Sequence, residues 1–228
     1  MIVVGIDHAR TSGYGIVRAH PVTPVVLEHG VARSLADRAV VVAHALAAGG
    51  DDEDVWVVLE DHSYLPARSG RNAATLIGMG DARGRWRERF ELAGLPKARM
   101  RFSVQPKVWR RAVLGLSDYA SEERCKQTAV RYAEGLTGAV GMDHNAAEGL
   151  CIAVWGGRNL PALLEHEKLQ RAAKRAMGVA GDAGAPDGLH GGPSGAATPV
   201  GTRRRGGRHE AHRGRTGARG GRLPYPPA

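Results

Sequence analysis

Two short apolar runs, each ending in an acidic residue, limit most what this chain can fold into. Residues 2–6 and 55–59 are continuously apolar, and Asp7 and Glu60 follow them directly. A run of this length and composition is typical of a strand buried on both faces of a sheet. A buried carboxylate is costly unless it is paired or bound to a metal ion. If the two strands are neighbours, Asp7 and Glu60 lie at the same edge of the sheet.

The remaining pattern predicts an α/β domain with a five-stranded mixed sheet. Turn residues separate strand-like segments, Gly and Pro mark the helix ends, and the elements follow the order three strands, helix, strand, helix, strand, helices. Helices in this order cover both faces of the sheet. The predicted strands are 2–6, 14–17, 25–31, 55–60 and 100–104, and the predicted helices are 35–48, 72–92, 106–114, 121–134, 143–155 and 159–175.

Composition divides the chain near residue 177. Residues 178–228 carry eight Arg against three acids, together with many Gly and Pro and almost no large apolar side chains. Such a segment cannot bury enough surface to offset the entropy lost on ordering, so we predict one folded domain at 1–177 and a disordered basic tail at 178–228. Either the tail makes salt-sensitive phosphate contacts or it is solvated without a function of its own.

The charge of the whole chain favours a polyanionic partner. The formal net charge is +9, and the sequence pI is about 10.1. Nucleic acid is therefore the first candidate partner, and an anionic membrane surface the second. The sequence has no apolar run long enough to span a membrane and no basic, apolar leader. Its two cysteines, Cys125 and Cys151, have no metal-ligand spacing. We therefore expect a cytoplasmic protein with reduced cysteines that does not associate with a membrane.

A third acid, Glu148, completes a candidate metal site. Ala146, Ala147 and Gly149 surround it in a predicted helix, and such small side chains allow a helix to pack closely on a sheet. Asn145 lies three positions before Glu148 and faces the same side of that helix. Oxygen ligands of this kind suit Mg²⁺ or Mn²⁺, and a pair of such ions supports in-line hydrolysis of a phosphodiester. Each acid taken alone is also an ordinary strand-end or surface residue.

Five stretches of the chain resemble, in order, the motifs of one family. They are a Gly-Ile-Asp strand followed by a Gly-Tyr-Gly hairpin at 2–17, Val-Val-Leu-Glu ending at Glu60, and the segments 72–84, 105–115 and 145–153. These stretches resemble the RuvC-type Holliday junction resolvases of the RNase H-like nuclease superfamily. The resemblance implies an RNase H-like fold and a homodimer that cuts four-way DNA junctions with Mg²⁺ or Mn²⁺, two ions per active site, without a nucleotide cofactor.

The resemblance also implies roles for individual residues. Asp7, Glu60, Asn145 and Glu148 match its catalytic positions, with Asp7, Glu60 and Glu148 as metal ligands. Asn145 departs from the family's carboxylate, and either Asp143 or His144 compensates, unless Asp143 is only the helix N-cap. The predicted DNA-binding residues are Tyr64, Arg68, Arg71, Lys107, Arg110, Arg111, Arg124 and Lys126.

Three other functions fit parts of the sequence. An ATPase of the actin and sugar-kinase superfamily also opens on a Gly-Ile-Asp strand, but residues 100–178 contain neither its second phosphate loop nor its Gly-rich adenosine segment. A non-catalytic DNA-binding relative is favoured by the change at Asn145. An RNase H-like nuclease on RNA or DNA flaps has the same metal chemistry.

The homodimer that the resemblance implies needs an interface, and we predict that the helix at 72–92 forms it through Leu76, Met79 and Arg83. The alternative is that this stripe faces the protomer's own sheet.

Overall fold

A five-stranded mixed sheet lies at the centre of the computed structural model, which describes residues 1–9, 11–61 and 73–182. The strands are β1 (Ile2–Asp7), β2 (Ser12–Arg18), β3 (Val25–Ala32), β4 (Val55–Glu60) and β5 (Phe102–Val104). The helices are α1 (Leu35–Gly49), α2 (Ala73–Leu92), α3 (Pro106–Leu114), α4 (Glu122–Thr137) and α5 (His144–Asp182), with a 3₁₀ turn at Lys97–Met100. Tyr64, Arg68, Arg71 and most of the predicted tail lie outside the described residues, and the domain boundary at residue 177 stays a prediction.

The sheet has the order β3-β2-β1-β4-β5. β1 is antiparallel to β2 and β2 to β3, whereas β1, β4 and β5 run parallel to one another. This order and these directions define the RNase H-like fold, and the predicted fold class is confirmed. No described helix is both long enough and apolar enough to cross a membrane.

Alternating side chains of the central strands fill two separate cores. From β1, Ile2, Val4 and Ile6 pack with α1 and with Trp86 of α2. Val3 faces the opposite side and packs with residues of α3, α4 and α5. Every residue of β1 and β4 is buried. The two apolar runs are therefore strands covered on both faces, as their composition predicts.

Several predicted boundaries differ from the structure by two or three residues, and the differences at the fifth strand and the last helix have a physical cause. The fifth strand begins at Phe102 instead of Met100, because residues Lys97–Met100 form the 3₁₀ turn that carries Met100 into the core. The last helix does not stop at 155 and restart near Pro161, since α5 is continuous through it. A proline removes one intrahelical hydrogen bond, but Leu160 beside it is fully buried and anchors the helix. The Asn159 amide donates to the Trp155 carbonyl within the same helix, at 2.7 Å, and does not cap a new one.

Helix α5 approaches the sheet at backbone distance through glycines on both sides. A Cβ on Gly5 would overlap the backbone of Ala153, and a Cβ on Gly13 would overlap that of Asn145. From the helix side, a Cβ on Gly149 would overlap the backbone of Gly13 and Tyr14. The small residues around Glu148 therefore allow close packing on the sheet, as the sequence predicts. This contact fixes how deeply Glu148 is placed against β1 and β2.

We predict that Gly149→Ala destabilises the protein by about 1–3 kcal/mol or more, because the added methyl group overlaps backbone that cannot rotate away. Gly135→Ala is the matched control, since Gly135 lies in α4 with open space where its Cβ would be. That change should stabilise the fold by about 0.5–1 kcal/mol through helix propensity. Denaturant unfolding measures both changes, and equal effects of the two substitutions would contradict the close-packing account.

Candidate active site

Parallel pairing places Asp7 and Glu60 side by side. Ile6 pairs with Leu59 across β1 and β4, so the next residues of the two strands, Asp7 and Glu60, end at the same edge. Both side chains point to the face covered by α5, because Val3 and Val58, which share their alternation, lie in that core. Asp7 is 8% exposed and Glu60 is 4% exposed. The predicted juxtaposition at the sheet edge is therefore present.

Helix α5 brings the third carboxylate to the same place. Glu148 is 7% exposed and lies directly before Gly149, at the point of backbone contact with β2. It interacts electrostatically with Glu60, and Glu60 shares a hydrogen bond with Asp7. A hydrogen bond between two carboxyl groups requires that one of them carries a proton. The three acids thus form one group that is crowded with negative charge.

The protonation of Glu60 reflects this crowding. Burial above all, and then the nearby Glu148 carboxylate, raise the pKa of Glu60 to about 7, against the opposing effects of the Trp109 hydrogen bond, Arg110 and Asp7. Each ionised carboxylate disfavours ionisation of the next one, so a bound cation would stabilise the ionised acids. Near neutral pH, a cation that enters it would replace a proton.

Helix α3 supplies two partners for the acids. The Trp109 indole Nε1 donates to Glu60 Oε1 at 2.9 Å, and Arg110 Nη2 donates to Glu148 Oε1 at 3.1 Å. The Arg110 guanidinium also stacks over the Trp109 ring, 5.2 Å from its centroid. Sequence reasoning assigned Arg110 to DNA and missed Trp109. The available signal was that a buried indole N–H requires an acceptor, and Trp109 is fully buried.

His8 was also missed by the sequence analysis. It is 2% exposed, and its Nε2 lies 2.7 Å from the Glu60 backbone carbonyl oxygen. Because the carbonyl only accepts, Nε2 carries the proton and donates it. This bond ties the residue after Asp7 to the end of β4 and fixes the relative position of the two strand ends.

Two of the acids, Asp7 and Glu148, open into a cleft of about 770 Å³ that is lined by residues of all five helices. Asp7, Asn145 and Glu148 lie in its wall. Its basic lining residues are Arg33, Arg38, Arg85, Arg110 and Lys126. A polyanion that enters the cleft would therefore meet positive side chains on its way to the carboxylates.

The predicted DNA-binding residues divide into two groups. Arg110 and Lys126 line the cleft, and Lys126 also pairs with Glu122 at 3.1 Å. Arg111 pairs instead with Asp118 at 2.6 Å and is largely exposed. Lys107 and Arg124 are exposed on α3 and α4. The structure thus brings two of the five described candidates to the carboxylates.

The three candidates to complete the site also differ. Asn145 is half-buried and lines the cleft, and His144 lines it from an exposed position. Asp143 is exposed, and its Oδ1 accepts the Asn145 backbone N–H at 2.8 Å. That bond is the one an N-cap residue makes. Asp143 therefore caps α5, which was one of its two predicted roles.

The donor set suits a hard cation, although the acids are engaged by protein groups. Asp7, Glu60 and Glu148 offer carboxylate oxygens, the ligands that Mg²⁺ and Mn²⁺ prefer. Among the described residues, no group of three or more His, Cys, Asp or Glu side chains stands ready to hold a metal ion. Glu60 faces Trp109 and Glu148 faces Arg110. Metal binding would exchange these contacts for contacts with the ion.

Comparisons with known proteins find similarity in structure only. No protein-family model and no curated protein matches the chain. A structure described as T. thermophilus RuvC in complex with Holliday junction substrate is 19% identical, covers 68% of this chain and 91% of that chain, and has a TM-score of 0.49. A second Thermus thermophilus RuvC structure is 18% identical, covers 71% and 96%, and has the same TM-score of 0.49. The fold assignment rests on strand order and register, and likeness this distant transfers no activity.

We predict that the metal-free protein loses stability as pH rises between about pH 5 and pH 8, in part through Glu60. The pKa of Glu60 is raised from 4.5 in the unfolded chain to about 7 in the fold. Its contribution is therefore complete below 4.5 and lost as pH rises through 7. Glu60→Gln keeps an acceptor for Trp109 and should flatten this part of the melting-temperature profile, measured in EDTA. The exposed Glu165→Gln is the control, and an unchanged slope in Glu60→Gln would contradict the assignment.

Proposed function

We propose that this protein is a metal-dependent endonuclease that hydrolyses phosphodiester bonds in branched DNA, four-way junctions in particular. The observation that carries the proposal is the meeting of three buried carboxylates, Asp7, Glu60 and Glu148, of which Asp7 and Glu148 line a cleft that also carries basic side chains. Carboxylates bind the cations that phosphodiester hydrolysis uses, and the basic lining attracts the phosphate backbone.

Asp7, Glu60 and Glu148 are the proposed ligands of Mg²⁺ or Mn²⁺, with two ions in each active site. When bound, such ions supply an activated water and neutralise the charge on the leaving oxygen. Asp7 ends the central strand beside Glu60 and shares a hydrogen bond with it, so these two carboxylates would hold a cation together. Asn145 contributes at most a neutral carbonyl oxygen, which adds no negative charge to the site.

Neighbouring side chains hold the acids in position. Trp109 orients the Glu60 carboxylate, and His8 ties β4 to the end of β1. Arg110 supplies positive charge beside Glu148 and lines the cleft at the same time. We propose that Arg110 contacts the phosphate of the substrate when Glu148 turns to a cation. Lys126 contacts the DNA strand nearby, and Lys107, Arg111 and Arg124 contribute from the outer surface. Tyr64, Arg68 and Arg71, which lie outside the described residues, are further proposed DNA contacts.

A homodimer is part of the proposal, because symmetric cutting of a four-way junction needs two active sites related by a two-fold axis. On α2, the stripe that faces the core consists of Ala82, Trp86 and Phe90. Leu76 is 41% exposed and Ile77 is 72% exposed. Open space surrounds the positions where Gly80 and Gly84 would carry a Cβ. The first half of α2 thus offers an apolar surface that a second subunit can cover.

The test is cleavage of four substrates: a labelled four-way junction, a linear duplex, a Y-fork and an RNA–DNA hybrid, each with Mg²⁺ and with EDTA. We expect Mg²⁺-dependent paired cuts in the junction. Preference for the hybrid or the fork would favour an RNase H-like nuclease of other specificity, and junction binding without cuts would favour a non-catalytic relative. Single nicks in place of paired cuts would contradict the dimer.

We predict that Asp7→Asn lowers junction cleavage by about two to three orders of magnitude, the loss typical of removing a group that stabilises transition-state charge. Junction binding should remain intact or become stronger, because one negative charge fewer opposes the phosphates. Cleavage rates and anisotropy titrations measure the two effects, with Glu165→Gln as a surface control. Undiminished cleavage by Asp7→Asn would contradict the proposed function.

We predict that Asn145→Asp lowers the Mg²⁺ concentration needed for half-maximal cleavage, because it adds a carboxylate to the cleft wall. Asp143→Asn should stay active, since Asn caps a helix about as well as Asp and the bond from Asn145 N–H needs only an acceptor. Metal titrations of the cleavage rate compare the two variants. An inactive Asp143→Asn together with an unaltered Asn145→Asp would instead make Asp143 a metal ligand.

A further inference from the structure

Arg38 is a buried cation in the wall of the cleft. It lies in the first turns of α1, is only 5% exposed, and lines the cleft together with Ser34 and Leu35 of the same helix end. Its guanidinium lies over the ring of Trp86 on α2, 5.5 Å from the centroid. Buried arginines are ordinarily paired with carboxylates, because an uncompensated charge is costly to remove from water.

The acids near Arg38 are engaged elsewhere. Asp37 accepts from the backbone N–H groups of Arg33 and Ser34 in the capping box of α1. Asp81 pairs with Arg85 at 2.7 Å. Among the described residues the buried Nε of Arg38 has no hydrogen-bond partner. Burial and the like charges of Arg85 and Arg89 lower the pKa of Arg38, while the charges of Asp81 and Asp37 oppose this shift, so its surroundings compensate its charge only in part.

Arg101 is a second arginine that lies over aromatic rings, and its charge has a partner. It also stacks on aromatic rings, 5.8 Å from the Trp56 centroid and 4.9 Å from that of Phe102. Unlike Arg38, it is partly exposed and pairs with a carboxylate, Glu167. Within the described part of the chain, Arg101 forms an ion pair with a carboxylate and Arg38 forms none. The cation–π contact alone therefore does not account for burying Arg38.

The surroundings of Arg38 in the cleft suit a phosphate group. Arg33 and Arg85 line the same wall, and the positive end of the α1 dipole points there. A guanidinium offers a planar set of donors that matches phosphate oxygens. Two of the carboxylates that would bind metal, Asp7 and Glu148, line the same cleft on the β1 and α5 side.

We propose that Arg38, with Arg33 and Arg85, forms an anion subsite that holds a backbone phosphate of the DNA strand lying in the cleft. This inference rests on the proposed function, since it takes DNA as the occupant. The subsite on the α1 and α2 wall positions the strand, while Asp7, Glu60 and Glu148 face the bond that is cut. Arg38 is thus a positioning residue for the substrate.

The first experiment compares the full-length wild type with Arg38→Met by anisotropy of labelled junction DNA in EDTA over a series of salt concentrations. Met keeps the packing on Trp86 and removes the charge. We expect the Kd to rise by about tenfold and the slope of log K against log salt to fall by about one, as for one lost phosphate contact. The melting temperature without DNA should stay the same or rise, since a charge that is compensated only in part is removed.

Arg101→Met is the matched control, because it removes a stacked arginine outside the cleft. It should leave the Kd and the salt slope unchanged and should lower the melting temperature, since Glu167 loses its partner. Equal DNA affinity and slope in Arg38→Met and the wild type would overturn the proposal. If Arg38→Met does not fold, the exposed Arg33→Gln carries the test, and an unchanged slope in that variant overturns it.

Sulfate as a probe separates this proposal from the proposed function. Sodium sulfate should raise the melting temperature of the wild type more than sodium chloride of equal ionic strength, and Arg38→Met should lose that difference. Suppose that sulfate stabilisation depends on Arg38 but the wild type binds no branched DNA. The proposed function then fails, and the subsite binds a free anion instead of a DNA phosphate. If the wild type cleaves junctions but neither sulfate nor DNA responds to Arg38→Met, the function stands and the subsite is wrong.

Discussion

The contact between α5 and the sheet is the constraint on which the site depends. Gly5 and Gly13 on the strands and Gly149 on the helix remove the side chains that would hold the two backbones apart. Glu148 lies between the contacts that Asn145 makes with Gly13 and Ala153 makes with Gly5, so its carboxylate reaches the edge where β1 and β4 end. Without that approach, Asp7 and Glu60 would still be neighbours through strand pairing, but the third acid would lie farther out in solvent.

Charge crowding and charge compensation then shape the site. Two of its acids share a hydrogen bond, and the pKa of Glu60 is raised to about 7. The third acid is held by Arg110 at 3.1 Å. A proton on the carboxyl pair and a guanidinium on Glu148 thus supply the positive charge that the buried acids require. Both can be exchanged for a divalent cation, and this exchange couples metal binding to proton release.

The sequence predicts the frame of this arrangement because its signals are local. Two continuous apolar runs identify β1 and β4, and the acid that follows each run marks the sheet edge. Small residues around Glu148 predict the close helix. Contacts between residues distant in the chain are not predictable in this way. Trp109 and His8 lie 49 and 52 residues from Glu60 in the sequence, and only the folded sheet brings them to it. Pro161 misled the prediction of α5 because tertiary burial of Leu160 outweighs the local cost of a proline.

Basic side chains are unevenly distributed along the walls of the cleft, and their positions determine where a polyanion binds. Asp7 and Glu148 lie on the β1 and α5 side, with Arg110 beside Glu148, whereas Arg33, Arg38 and Arg85 lie on the α1 and α2 side, where Asp81 pairs with Arg85. A phosphate backbone is repelled by bare carboxylates and attracted by guanidinium groups. In the metal-free protein it would therefore rest against the α1 and α2 wall. Positive charge bound among Asp7, Glu60 and Glu148 would remove the repulsion, so that metal loading determines whether the bound strand approaches the acids.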